Sequence, residues 1–159
     1  MNAISPAQRL VLVQFALFGL MGLAVILTPA SSPAATRVMG AVLIASGLGL
    51  ITLAIVTYQA HAQRPPKISP EPPDPARGGQ LITQGVYSRM RHPIYGGVLL
   101  TAFGIALMHG HIFVWALVAA LYIFFYSKSR YEEAMLLHVY PEYATYLRRT
   151  GRFLPRLGR

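Results

Sequence analysis

Two short clusters of charge stand at the edges of long apolar runs, and both contain residue types that do chemistry. In the first, Arg91 and His92 come directly before Pro93, and an apolar run opens at Ile94. Proline is well tolerated at the first helical position, so Pro93 is expected to start a helix with His92 as its N-cap. The free amides of such a helix start, the positive end of its dipole, Arg91 and a protonated His92 would together attract a carboxylate or phosphate. The second cluster is Glu132 and Glu133, which follow the end of another apolar run at Tyr126 within two turns and lie beside Lys128 and Arg130. If the two apolar runs fold back on each other, the acidic pair meets the basic pocket and a zwitterionic ligand fits between them. Each cluster also has a plainer reading. Arg89 and Arg91 would set membrane topology against lipid phosphate, and Lys128 would pair with Glu132 at i, i+4 on a solvated helix face. Residue types alone leave both readings open.

Other chemistries find little support. The chain has no cysteine, which removes disulfides, thiolate metal sites and a cysteine nucleophile. It contains no GxxxxGK[ST], GxSxG or HExxH pattern, so the usual NTPase, serine hydrolase and metalloprotease readings fall away. His109 and His111 flank a single glycine, but two imidazoles without a third ligand do not make a metal site, and none is expected. His61 and His138 read as interfacial side chains.

The elements that must position these clusters are membrane helices. With 54% hydrophobic and 12% charged residues among 159, and a mean hydropathy of +0.46, the chain is too apolar for an ordinary soluble domain. Four spans are expected, at about 10–28, 38–58, 94–108 and 112–126, in one membrane domain covering 1–159. The first is uncharged over 19 residues, longer than the h-region of a signal peptide, and is read as a span. The second has Gly40, Ala45, Gly47 and Gly49, small residues that permit a close helix neighbour. The last two runs are short and separated by His-Gly-His, which suggests a helical hairpin.

Charge orients this bundle. Thirteen of the 14 Lys and Arg residues precede the first span, lie between the second and third, or follow the fourth, and Arg37 alone falls on the other side. By the positive-inside rule both termini and the middle loop are cytoplasmic, as are all five acidic residues. The net charge of +9 then points to anionic lipid headgroups of the bilayer, and nucleic acid is not expected as a partner. Oligomeric state is open.

Six prolines between 64 and 76 rule out a regular helix there and make a cytoplasmic linker or lid. The following GGQLITQGVYSRMRHP has β-branched and aromatic residues between glycines, as a short extended segment across the polar mouth of the bundle would, with backbone groups open to a ligand. The tail from Ser127 reads as two amphipathic helical stretches broken near Pro141, lying at the interface with snorkelling arginines. The fold class is therefore an all-α integral membrane protein with about four transmembrane helices, the last two a short hairpin, plus a cytoplasmic amphipathic C-terminal segment.

GVYSRMRHPIYGG, followed some 35 residues later by EEAMLLHVYPEYATYLRRTGRFLP, resembles the isoprenylcysteine carboxyl methyltransferase and phospholipid methyltransferase superfamily of membrane enzymes. The likeness covers roughly 79–155. Its core is G-x-Y-x-x-x-R-H-P-x-Y-x-G, met by Gly85, Tyr87, Arg91, His92, Pro93, Tyr95 and Gly97. A second element, E-E-x-x-L with tyrosines downstream, is met by Glu132, Glu133, Leu136, Tyr143 and Tyr146.

What the resemblance implies is S-adenosylmethionine as methyl donor, S-adenosylhomocysteine as product, and a lipid, lipidated or other lipophilic small-molecule acceptor. Cofactor contacts carried over in this way fall on Gly79, Gln80, Leu81, Ile82, Tyr87, His92, Pro93, Ile94, Tyr95 and Glu132. Arg91, Gly97 and Glu133 complete the expected donor site. Relatives that act on prenylcysteine have an arginine four residues before the first glutamate; here Lys128 stands there, with Arg130 two residues on, and these two are the expected acceptor-orienting residues. The lysine speaks against a prenylcysteine acceptor, because it lacks the bidentate fork of arginine. Two alternatives stand beside this reading. One is a phospholipid amine N-methyltransferase, and the other is a non-enzymatic membrane adaptor whose clusters hold anionic headgroups.

Overall fold

The computed structural model describes residues 5–62, 66 and 80–156. Gly79 and, apart from Pro66, the proline-rich stretch lie outside the described residues. Among the described residues five α-helices follow one another: α1 Pro6–Leu27, α2 Ala34–Ala62, α3 Pro93–His109, α4 Ile112–Val139 and α5 Tyr143–Arg149, with a 3₁₀ turn at Gly85–Ser88 before α3.

The helix boundaries follow from local chemistry. Ser5 and Gln8 close a capping box on α1, with Gln8 N donating to Ser5 Oγ at 3.2 Å and Ser5 N to Gln8 Oε1 at 2.9 Å. Pro93 opens α3 as expected, and Gly110 ends it at φ 81°, a left-handed conformation that glycine adopts without penalty. His111 then caps α4, its Nδ1 accepting from Phe113 N. α4 stops at Val139 because Pro141 pushes the preceding Tyr140 into extended backbone, φ −119° and ψ 103°.

α1, α2 and α4 are long and apolar enough to cross a membrane, whereas α3 has 17 residues, about 26 Å at 1.5 Å per residue. Among the described residues three helices meet the length and apolarity of a full span, and α3 is a shorter apolar helix. One expectation changes: the fourth apolar run is not a 15-residue arm, because α4 runs unbroken for 28 residues through Lys128, Ser129 and Glu133. These three are buried, so the charges do not end the helix where the apolar run ends.

α2 and α3 pack antiparallel along a seam of glycines. A Cβ placed on Gly47 would meet Gly97 O at 2.6 Å and one on Gly97 would meet Gly47 O at 2.7 Å; Gly40 and Gly104 make the same reciprocal contact seven residues along. The backbones touch only because these four positions carry no side chain. Of the small residues expected to face a neighbour, Gly40 and Gly47 do so, whereas Ala45 is exposed and a Cβ on Gly49 meets nothing within 4 Å. α1 packs on the other side against α4, where Met21, Leu121, Phe125 and Phe153 form one apolar cluster.

Gly47→Leu is expected to lower stability by at least the ~1–3 kcal/mol typical of overpacking. Gly49→Leu should leave it nearly unchanged. Thermal unfolding of the two variants in the same detergent checks the difference.

Candidate functional site

The start of α3 and the last third of α4 meet, joined by a third element, the C-terminal strap of residues 150–153. The strap lies parallel to the chain before α3: Gly151 N donates to Arg89 O at 3.0 Å, Arg91 N to Gly151 O at 2.9 Å and His92 N to Arg152 O at 3.0 Å. These bonds use the backbone groups that the sequence suggested would be open to a ligand, and residues 85–88 are a 3₁₀ turn instead of an extended segment. Gly96 makes the close approach possible, since any Cβ there would overlap the Phe153 carbonyl.

Glu133 is the centre of the inner layer. Its Oε1 accepts from Arg91 Nε at 2.8 Å and lies 3.2 Å from His92 Nε2, while Oε2 accepts from Arg152 Nη2 at 2.7 Å. The carboxylate is only 6% exposed, so three cation-forming groups on it offset a desolvation cost that a lone buried charge could not meet. Arg91, also 6% exposed, donates through Nη1 to the carbonyls of Leu147 and Thr150 as well, which ties the end of α5 to the same point. Arg152 spreads its other edge over Ser129 Oγ at 3.0 Å and Tyr126 O at 3.3 Å, with the guanidinium 4.6 Å from the Tyr126 ring.

One residue earlier, Glu132 belongs to an outer layer. Successive helical residues point about 100° apart, so while Glu133 turns inward Glu132 faces Tyr95, whose hydroxyl donates to Glu132 Oε1 at 2.5 Å. His92 Nδ1 lies 3.5 Å from Glu132 Oε2, and its ring stacks parallel to Tyr95 at 5.4 Å between centroids. Glu132 is 18% exposed, the more open of the two carboxylates. Beyond Tyr95, the Lys128 ammonium stands 5.3 Å over its ring and donates to Gln14 Oε1 of α1 at 2.7 Å.

The structure thus brings His92, Tyr95, Glu132 and Lys128 together and reassigns several others. Arg91 is turned inward, its Nε engaged by Glu133 and its Nη1 by the Leu147 and Thr150 carbonyls. Gly97 faces Gly47 of α2, away from the site; Gly96 is the glycine that shapes it. Pro93 is fully buried, and Ile82, Tyr87 and Ile94 pack with Ala54 of α2. Gln80 is exposed and Leu81 half-buried. Arg130 is exposed, two positions and about 200° of helical turn from Lys128, so it does not share that face. The Tyr146 hydroxyl donates to Tyr87 O at 2.6 Å. Burial pushes its pKa up to about 12, with Arg91 opposing the rise and Glu133 adding to it, so it remains a donor at neutral pH.

Arg152, Ser129 and Gln14 are residues that sequence reasoning missed. Arg152 had one usable signal: it follows a glycine and precedes Phe153 in a tail otherwise read as snorkelling arginines. Gln14 had another, as the one glutamine within an otherwise uncharged apolar first span.

A bundle of membrane-crossing helices with a paired-glutamate site at the start of a short helix defines a class of small integral membrane proteins. The family described as phospholipid methyltransferase matches residues 35–143, and the chain belongs to it. The cobalt-zinc-cadmium resistance protein CzcN of Cupriavidus metallidurans is 38% identical over 83 residues, 52% of this chain and 38% of that protein. The nickel-cobalt-cadmium resistance protein NccN of Alcaligenes xylosoxydans xylosoxydans is 35% identical over 80 residues, 50% of this chain and again 38% of the relative. Among solved structures, the eukaryotic intramembrane Ras methyltransferase, isoprenylcysteine carboxyl methyltransferase, superposes with a TM-score of 0.66 at 20% identity. That likeness covers 96% of this chain and 54% of the other, and it shows a shared fold.

Glu133→Gln is expected to cost more stability than Glu132→Gln, with breaking of the buried ionic cluster worth about 3–5 kcal/mol. Thermal unfolding of the two variants reads the order directly; equal losses would mean that Glu133 does not hold the strap.

Proposed function

We propose that the chain is a membrane methyltransferase that uses S-adenosylmethionine and methylates a lipophilic acceptor. The observation that carries this reading is the outer layer of the site, where His92 and Tyr95 at the start of α3 face the part-exposed carboxylate of Glu132 on α4.

The residues fit the amino-acid end of such a donor. An ammonium group finds the Glu132 carboxylate, already oriented by the Tyr95 hydroxyl. A carboxylate finds the first turn of α3, where Ile94 and Tyr95 carry amides that an α-helix leaves without intrahelical partners. Arg91, Glu133 and Arg152 support this surface from beneath by fixing the strap and the angle between α3 and α4. S-adenosylmethionine supplies a methyl group already activated on a sulfonium, so the protein's task is alignment of donor and acceptor and exclusion of water. Lys128 stands next to Tyr95 and orients the acceptor; Arg130, on the other side of α4, has no part in it.

In this reading residues 1–159 form one membrane domain with the methyltransferase-like region at 79–155, and α3 completes a fourth, short crossing. Both termini, the 64–76 loop and the site face the cytoplasm, following the distribution of Lys and Arg. A soluble donor then enters from the cytoplasm and the acceptor from the bilayer.

Titration of purified protein with S-adenosylhomocysteine in a calorimeter should show saturable binding. Glu132→Gln and His92→Ala should each weaken it at least about tenfold, the loss of one charge-assisted contact, while His138→Ala should not. No heat from the wild-type protein would reject the donor assignment.

A further inference from the structure

We infer that the loop from Arg148 to Arg156 is a binding surface for anionic phospholipid headgroups of the membrane the protein spans, and that lipid held there braces the strap under the donor site. The surface and its hold on the strap rest on geometry; the methyltransferase reading supplies only the word donor.

The loop has two faces. The inner one is the strap, where Thr150 and Phe153 are buried, Arg152 donates to Glu133, and Gly151 exchanges backbone hydrogen bonds with Arg89 and Arg91. The outer one carries Arg148, Arg149, Leu154 and Arg156, all exposed, Leu154 at 72%. A closing contact gathers them, since Arg156 Nη1 donates to the Arg148 carbonyl near the end of α5. Arg148 Nη2 also donates to the neutral Thr145 Oγ1 at 3.2 Å. Among the described residues no ion pair involves any of these three arginines. Three like charges gathered without an acidic partner repel one another until an anion joins them.

Neighbouring aromatic rings set the level of the loop in the bilayer. Tyr122 and Tyr126 lie one turn apart on α4, both exposed, where the apolar part of that helix ends. Tyrosines so placed mark the headgroup level. The loop lies on them, with the Phe153 ring 6.2 Å from Tyr122 and the Arg152 guanidinium 4.6 Å from the Tyr126 ring. Leu154 is then at the hydrocarbon boundary, and the arginines on either side of it reach phosphate oxygens. The same Phe153 ring meets His92 at 6.3 Å, which connects the lipid-facing loop to the start of α3. Anionic lipid favours the closed loop, because only there do the three guanidiniums share one surface, and a ligand shifts an equilibrium by its differential affinity for the two states. A zwitterionic headgroup carries its own cation and has no net charge to offer.

The test is hydrogen exchange of the full chain in vesicles of phosphatidylcholine, with and without added phosphatidylglycerol, whose headgroup is anionic and has no amine to methylate. The reporters are the amides of Arg91, His92 and Gly151, which bond the strap to the chain before α3. Their exchange should slow at least about fivefold in the mixed vesicles, the contribution of one arginine at an anionic surface, and high salt should erase the difference. A double variant, Arg148→Gln with Arg149→Gln, keeps the Arg148 carbonyl that receives Arg156 and should lose most of the response. Arg37→Gln, on the opposite side of the bundle, should keep it. Equal exchange in the two kinds of vesicle would overturn the inference, as would a double variant that responds as fully as the wild type, the behaviour of diffuse surface charge. S-adenosylhomocysteine is titrated into the same vesicles, and its affinity should rise with phosphatidylglycerol in the wild type alone. Binding that ignores the lipid while the strap responds overturns the brace. No binding in any vesicle, with a strap that still responds, rejects the donor reading and upholds the lipid surface.

Discussion

A single buried carboxylate organises this half of the molecule. Glu133 receives Arg91 from before α3, faces His92 at the helix start, and receives Arg152 from the strap. Arg91 and His92 come from the chain entering α3 and Arg152 from the strap, so with Glu133 on α4 the ion cluster specifies where three segments cross. The desolvation of these charges means that the cluster need not add net stability, but leaving any member unmatched is costly. Such an arrangement favours one geometry over its neighbours. That geometry matters because Glu132 is the next residue along α4, and its position relative to Tyr95 is inherited from the inner layer.

The glycine seam plays the complementary part on the other side of α3. Gly97 and Gly104 bring the helix against α2 at backbone contact, while Gly96 lets the strap close on it from another direction. α3 is thereby held between two backbones. A helix of 17 residues has little apolar surface with which to fix itself in a bilayer, and these contacts provide the placement that length does not. The start of α3, with His92 and Tyr95, is fixed by packing at the glycines and by charge at Glu133.

Much of this was legible in the sequence. Pro93 as a helix start, Pro141 as a break, and the meeting of the Arg-His-Pro and Glu-Glu clusters followed from local rules and from the hairpin that His-Gly-His implies. What was hidden depends on partners distant in sequence. Arg91 reads as an exposed cation until Glu133 and the Thr150 carbonyl are seen around it. α4 seems to end at Tyr126 because hydropathy cannot tell that Lys128 and Ser129 are buried by α1 and the strap. Gly97 matched a motif position, but adjacent glycines on a helix point about 100° apart, and only the neighbours reveal which one faces the strap. The glycine pattern of α2 had the same ambiguity, resolved in favour of Gly40 and Gly47.

α1 is tied to the bundle by hydrogen bonds at two levels, near its middle and at its C-terminal end. Gln14 meets Lys128 near the middle, and at the C-terminal end His109 Nε2 lies 3.2 Å from Val25 O and 3.0 Å from Thr28 O. Between those ties its inner face carries apolar side chains that line a cleft shared with α2, α3 and α4. Dispersion contacts are weak individually and shallow in distance compared with a directional hydrogen bond. The half of the helix from Gln14 onward therefore resembles a beam pinned at two points, whose stretch between them can bow. The width of the cleft can change with its contents while the registration of Gln14 against Lys128 is kept.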